Sequence, residues 1–126
     1  MIVDAHQHFW QLDRGDYGWL TPALAPIFRD FMPEDLKPLL AQHKISGTFL
    51  IQAAATVSET GFLLEIASNT PFVLGVVGWV DLAHKAAPAE IARLAAHPKL
   101  VGLRPMMQDI EDDEWMLRAD LRPAIE

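Results

Sequence analysis

His6 and His8 are the sharpest chemical feature of this sequence. They stand two residues apart in Ile2-Val3-Asp4-Ala5-His6-Gln7-His8, an apolar run that turns polar at its end. In an extended strand, residues i and i+2 point to one side, so two imidazole nitrogens can converge on one cation. The same spacing suits two hydrogen-bonded histidines at a strand end, and the pattern alone leaves both readings open. Asp4 ahead of the pair favours a metal or substrate site. Arg104 closes a second apolar run, Leu100-Val101-Gly102-Leu103. A guanidinium there suits bidentate capture of a carboxylate or carbonyl oxygen, or an ion pair with one of the many acids. Gln52 ends a third run, and Gln108 lies just past Arg104. Either amide can bond the hydroxyls of a polar ligand or be satisfied structurally. Trp10, Trp19 and Trp79 can wall a sugar-like face or fill core.

Other chemistries drop out. There is no cysteine, so disulfides, thiolate zinc sites and a cysteine nucleophile are excluded. Gly75 and Gly78 fall inside an apolar run rather than in a strand-to-helix turn, so they make no dinucleotide fingerprint. No Ser-His-Asp order or paired-acid constellation emerges. Glu111-Asp112-Asp113-Glu114 lacks the glycine and alternating spacing of a calcium loop and reads as a solvated loop. His43 and His97 fall at helix ends, where a partly charged imidazole suits the dipole, and His84 falls in a loop.

These residues need elements to position them, and the chain alternates strand and helix signals. Met32-Pro33-Glu34-Asp35 opens a helix, with Leu36, Leu39 and Leu40 as its apolar stripe and a kink expected at Pro38. Gly47 opens a second strand, Thr48 to Gln52. Thr56 and Glu59 have capping-box spacing for a helix carrying Phe62, Leu63, Ile66 and Ala67. Phe72 to Val80 is a third strand. Pro88 opens a helix with Ile91 and Leu94 that ends at His97-Pro98, Leu100 to Arg104 is a fourth strand, and Asp120 caps the start of a fourth helix. Continuous apolar strands separated by amphipathic helices indicate an α/β fold with a parallel sheet covered by helices. In such sheets ligands bind at the carboxyl ends of the strands. His6, His8, Gln52, Trp79 and Arg104 all fall at those ends.

Length and charge set further bounds. The 126 residues form a single domain of about four β/α units, and a complete eight-fold barrel needs roughly 250 residues. A net charge of −7 opposes nucleic acid and anionic membrane surfaces as partners. The longest apolar stretch, Phe72 to Val80, is far short of the roughly 20 residues of a membrane span, and no secretory signal precedes Ile2. A cytoplasmic location is expected.

Longer stretches carry a resemblance. Val3-Asp4-Ala5-His6-Gln7-His8-Phe9-Trp10 resembles the opening of the amidohydrolase superfamily. Asp16 to Leu20, Arg29 to Leu36, Val77 to Leu82, Gly102 to Asp109, Trp115 to Arg118 and Leu121 to Ala124 are similar to its lactonase branch, which holds L-fuconolactonase-like and L-rhamnonolactonase-like enzymes. The likeness runs along essentially the whole chain. It implies the N-terminal half of a (β/α)8 TIM barrel that opens a sugar lactone with a metal-activated water. It also implies His6 and His8 as ligands of a divalent metal, zinc by preference, with Arg104, Gln108, Trp79, Gln52 and Trp10 around the substrate. Some members of the branch work without metal, and there His6 and His8 would contact substrate instead.

The same resemblance places the general acid/base, an aspartate of the eighth strand, outside these 126 residues, so no catalytic residue is assigned within them. A fragment of a longer enzyme is the expectation, with the missing half or a second copy covering the open sheet. Two rival functions stay open: a decarboxylase of the same superfamily acting on a carboxylic acid, and a non-catalytic half-barrel that oligomerises.

Overall fold

The computed structural model describes residues 1–126. Four strands, β1 (Val3–Gln7), β2 (Gly47–Ile51), β3 (Val73–Gly78) and β4 (Leu100–Leu103), form one parallel sheet in chain order. Helices α1 (Pro33–His43), α2 (Val57–Asn69) and α3 (Ala87–Ala95) make the crossovers, and a short α4 (Arg122–Ile125) ends the chain. Strand n pairs only with strands n−1 and n+1, the connectivity of consecutive β/α units in a barrel wall. The expected α/β fold of parallel units is therefore what the chain adopts.

The main core lies between sheet and helices. Leu50, Val73 and Val76 pack against Leu63, Leu64, Ile66 and Ala67 of α2, with Leu94 of α3 alongside. On the opposite face Leu74 and Val101 are 41% and 54% exposed. A Cβ on Gly47 would strike Leu74, and one on Gly75 would strike Val101 and Phe49. These residues thus share the face that a complete barrel turns inward.

The first helix runs from Pro33 to His43 with Pro38 inside it, as expected. Pro38 is exposed, so the Glu34 carbonyl whose donor it lacks can be hydrated. Two local expectations are corrected. Leu39, placed in the apolar stripe, is half exposed, and Leu40 carries the burial. Asp120 does not cap a helix: it lies in a 3-10 turn, its carboxylate is taken by Arg118, and Leu121 occupies the cap position.

Close approach fixes the end of β3. Thr60 of α2 is fully buried, and its hydroxyl donates to the Trp79 carbonyl and accepts from the Trp79 amide, each at 2.8 Å. A Cβ on Gly78 would lie 2.5 Å from Thr60 Cγ2, so only glycine lets the helix come this near.

Candidate functional site

The carboxyl ends of the strands enclose a hollow of about 410 Å³ lined by His8, Trp10, Trp19, Ala53, Arg104, Met106, Gln108 and Asp109. That is within the range of small-molecule sites. Each wall has a traceable cause.

Arg104 follows β4, and its amide still bonds the Gly78 carbonyl of β3 at 2.9 Å. Its guanidinium does not meet a carboxylate. Nε donates to Gln52 Oε1 at 3.1 Å, and Nη2 donates to the Gln52 carbonyl at 2.8 Å and again to Oε1. Gln52 is fully buried, and its amide nitrogen reaches the Ala54 carbonyl at 3.4 Å. Arg14, Arg29, Arg93 and Arg118 each hold an acid. Arg104 is instead gripped by a neutral amide and brings a positive charge, with no ion pair, to a hollow that Asp109 also lines.

His8 forms the adjacent wall. Its Nδ1 lies 2.9 Å from the Ile51 carbonyl, which fixes that nitrogen as the donor and leaves Nε2 with a free lone pair. Burial holds its pKa below the usual histidine value, nearby His6 and Arg104 push the same way, and the Ile51 carbonyl opposes them. A neutral imidazole with a fixed tautomer is suited to accept a proton or bind a cation. The His6 ring sits edge-on to His8 with centroids 4.9 Å apart, but His6 is exposed and outside the hollow's lining. No group of three or more His, Asp or Glu side chains gathers to hold a metal. The two histidine rings are neighbours, and no third His, Asp or Glu side chain joins them to complete a metal's donor set.

Aromatic packing steadies this wall. Trp10 is buried beside His8, with ring centroids 6.4 Å apart and planes 30° apart, and its indole N–H donates to the Arg29 carbonyl at 2.8 Å. Trp19 stands edge-on to Trp10 at 5.6 Å, is 42% exposed, and donates its N–H to the Ala53 carbonyl at 2.8 Å.

Of the residues singled out in the sequence, the hollow brings together His8, Trp10, Trp19, Arg104 and Gln108. Gln52 lies beneath Arg104 rather than facing the space. Trp79 lines a neighbouring hollow with Leu82, Met106 and Trp115. Met106 and Asp109 join the lining without having been singled out. Trp19 was legible as a wall aromatic, but only the fold puts it in one hollow with Arg104.

Glu59 departs furthest from expectation. Half of its capping box forms, with the Glu59 amide donating to Thr56 Oγ1 at 3.0 Å. Its carboxylate, fully buried, turns away and accepts the Ala53 amide at 3.0 and 3.2 Å and the Ala54 amide at 2.8 Å. Burial raises its pKa above the ordinary glutamate value, with the two amides opposing.

Comparison with known proteins adds a family. The family model described as Amidohydrolase matches residues 3–126. The L-fucono-1,5-lactonase of Burkholderia ambifaria is 50% identical over 124 residues, covering 98% of this chain and 43% of that enzyme. A crystal structure of an amidohydrolase from Burkholderia multivorans with bound HEPES superposes with a TM-score of 0.89 at 32% identity, over 99% of this chain and 44% of that one. A second crystal form of it, with bound zinc, gives 0.86 at 32% identity, with the same coverage of both chains. The chain thus spans less than half the length of the relatives it matches.

Proposed function

The chain belongs to the amidohydrolase family, and on that premise we propose that it is the N-terminal part of a hydrolase that opens a sugar lactone. Residues 1–126 then make one partial barrel domain, and the remaining strands and the general acid/base lie outside them. The observation that carries the reading is Arg104, a cation at a strand end held only by neutral Gln52 in a hollow walled by tryptophans. The 50% identical L-fucono-1,5-lactonase supports a six-carbon lactone as substrate.

The chemistry follows from the walls. Nη1 of Arg104 has no protein partner, so it can donate to the lactone carbonyl oxygen and hold the negative charge that grows there as water attacks the carbonyl carbon. Trp10 and Trp19 offer apolar faces to the C–H side of a ring, and Gln108 offers an amide to its hydroxyls. His8, neutral with Nε2 free, can accept a hydrogen bond or bind a metal. We read His6 and His8 as the chain's share of a divalent metal site, zinc being supported by the zinc-bound relative. When bound, such an ion polarises a carbonyl and lowers the pKa of water. A cytoplasmic enzyme of carbohydrate metabolism is consistent with this reading, and no helix is long and apolar enough to cross a membrane.

The test is a substrate panel on the full-length protein. Proton release from L-fucono-1,5-lactone, with no CO2 from aromatic carboxylic acids, is the expected result. Decarboxylation without lactone opening would replace the reading with its superfamily rival, and neither activity would favour a non-catalytic half-barrel. His6→Ala with His8→Ala should lower bound zinc per chain, and unchanged zinc content would remove the ligand assignment.

A further inference from the structure

A buried carboxylate with no cation beside it is costly, and proteins keep few of them without a use. Glu59 is one. Its oxygens gather two successive amides, Ala53 and Ala54, in the turn that leaves β2. Two residues that line the hollow are anchored at that turn. Gln52, immediately before it, holds Arg104 through its side chain and its carbonyl. The Ala53 carbonyl holds the Trp19 indole. Gln52, Ala53 and Ala54 are all buried, so the turn has little room to find another shape. The Glu59 backbone is itself braced: Thr56 Oγ1 accepts the Glu59 amide and donates to Asp16, which is paired with Arg14. The Tyr17 hydroxyl, buried and without a partner in hydrogen-bonding geometry, lies next to it.

We propose that Glu59 is a positioning residue, whose grip on the Ala53 and Ala54 amides sets Arg104 and Trp19 in register across the binding hollow. It touches no substrate and acts through Gln52 and Ala53. An ordinary helix-capping role would not require its carboxylate to leave the helix N-terminus for the preceding turn. The proposal deepens the lactone-site reading and rests on it for the functional consequence, while the structural consequence stands alone.

The experiment uses Glu59→Gln and Glu59→Asp in the full-length protein. Glu59→Gln keeps the volume but turns an amide N–H2 toward donors that need acceptors, and Glu59→Asp keeps the charge but withdraws it by one methylene. Without ligand, the 15N-detected Arg104 Nε–H and Trp19 indole N–H resonances should shift and exchange faster in both variants. The Arg93 Nε–H, paired with Glu90 on α3, should not move. With L-fucono-1,5-lactone, kcat/KM should fall about 100-fold in the folded variants, the scale of a catalytic group displaced by about 1 Å. A purely structural glutamate would lower the melting temperature and leave both resonances and kcat/KM in place, which would overturn the proposal. If neither variant folds, hydrogen exchange in the wild type decides: Ala53 and Ala54 amides protected like Leu50 support the grip, and amides exchanging like an open loop overturn it. A wild type inactive on the lactone but with the two resonances coupled to Glu59 would refute the substrate reading and keep the positioning role.

Discussion

Arg104 shows what one side chain's partners reveal. A guanidinium beside a carboxylate is neutralised, whereas one held by Gln52 keeps its charge for something else. Arg104→Lys should therefore be severe despite its conserved charge, because a lysine cannot make the forked contacts to Gln52 and still reach the hollow. We expect kcat/KM for the lactone to drop by about 100- to 1000-fold, as for removal of a donor to a developing oxyanion, with the thermal midpoint lowered as buried Gln52 loses partners. Steady-state kinetics on the folded variant check this. The sequence showed Arg104 at a strand end but left open an ion pair, since 17 acids are available and their distances are invisible in one dimension. His8 was legible through its spacing from His6, but its fixed tautomer depends on the Ile51 carbonyl, 43 residues away.

At the scale of elements, strand and helix order could be read because apolar runs and capping residues are local signals. What escaped depends on contacts between elements. No local signal marks Thr60, yet its hydroxyl satisfies both backbone groups of Trp79 across the approach that Gly78 allows. Thr60→Val keeps the shape and orphans two buried polar groups, so it should destabilise the fold by about 1–3 kcal/mol in urea unfolding. No loss would mean water replaces the hydroxyl. Glu59 was read as a cap because its spacing from Thr56 satisfied the local rule, and the competing amides of Ala53 and Ala54 precede that helix. Its raised pKa has a sign that can be measured. Below the ordinary value of 4.5 the residue is protonated folded or unfolded. As pH rises from there toward the raised folded value, the unfolded chain loses its proton first, and stability falls across that window. Asp35, Glu90 and Asp120, whose values are lowered by arginine or backbone partners, act oppositely and lose their contribution as pH falls below the ordinary carboxylate range. His8, whose pKa is lowered, adds an opposite slope to both proteins, so between pH 4.5 and 7 the urea midpoint of the wild type should fall relative to that of Glu59→Gln. Equal slopes would contradict the assignment.

Across the whole molecule, a four-stranded sheet with one covered face leaves Leu74 and Val101 to be covered by something else. Parallel topology was legible because β2, β3 and β4 are largely apolar, which suits burial on both faces, and helices separate them. Only the structure shows which face the helices take and that the hollow opens at the strand ends of the uncovered side's rim. The central claim is that this rim binds a lactone and that Arg104 orients it. The most direct measurement is a crystal structure of the full-length protein with the ring-opened sugar acid. The account predicts its carboxylate within hydrogen-bonding distance of the Arg104 guanidinium and its carbon chain against Trp10 and Trp19. A sugar acid bound elsewhere, with Arg104 still turned only to Gln52, would contradict it.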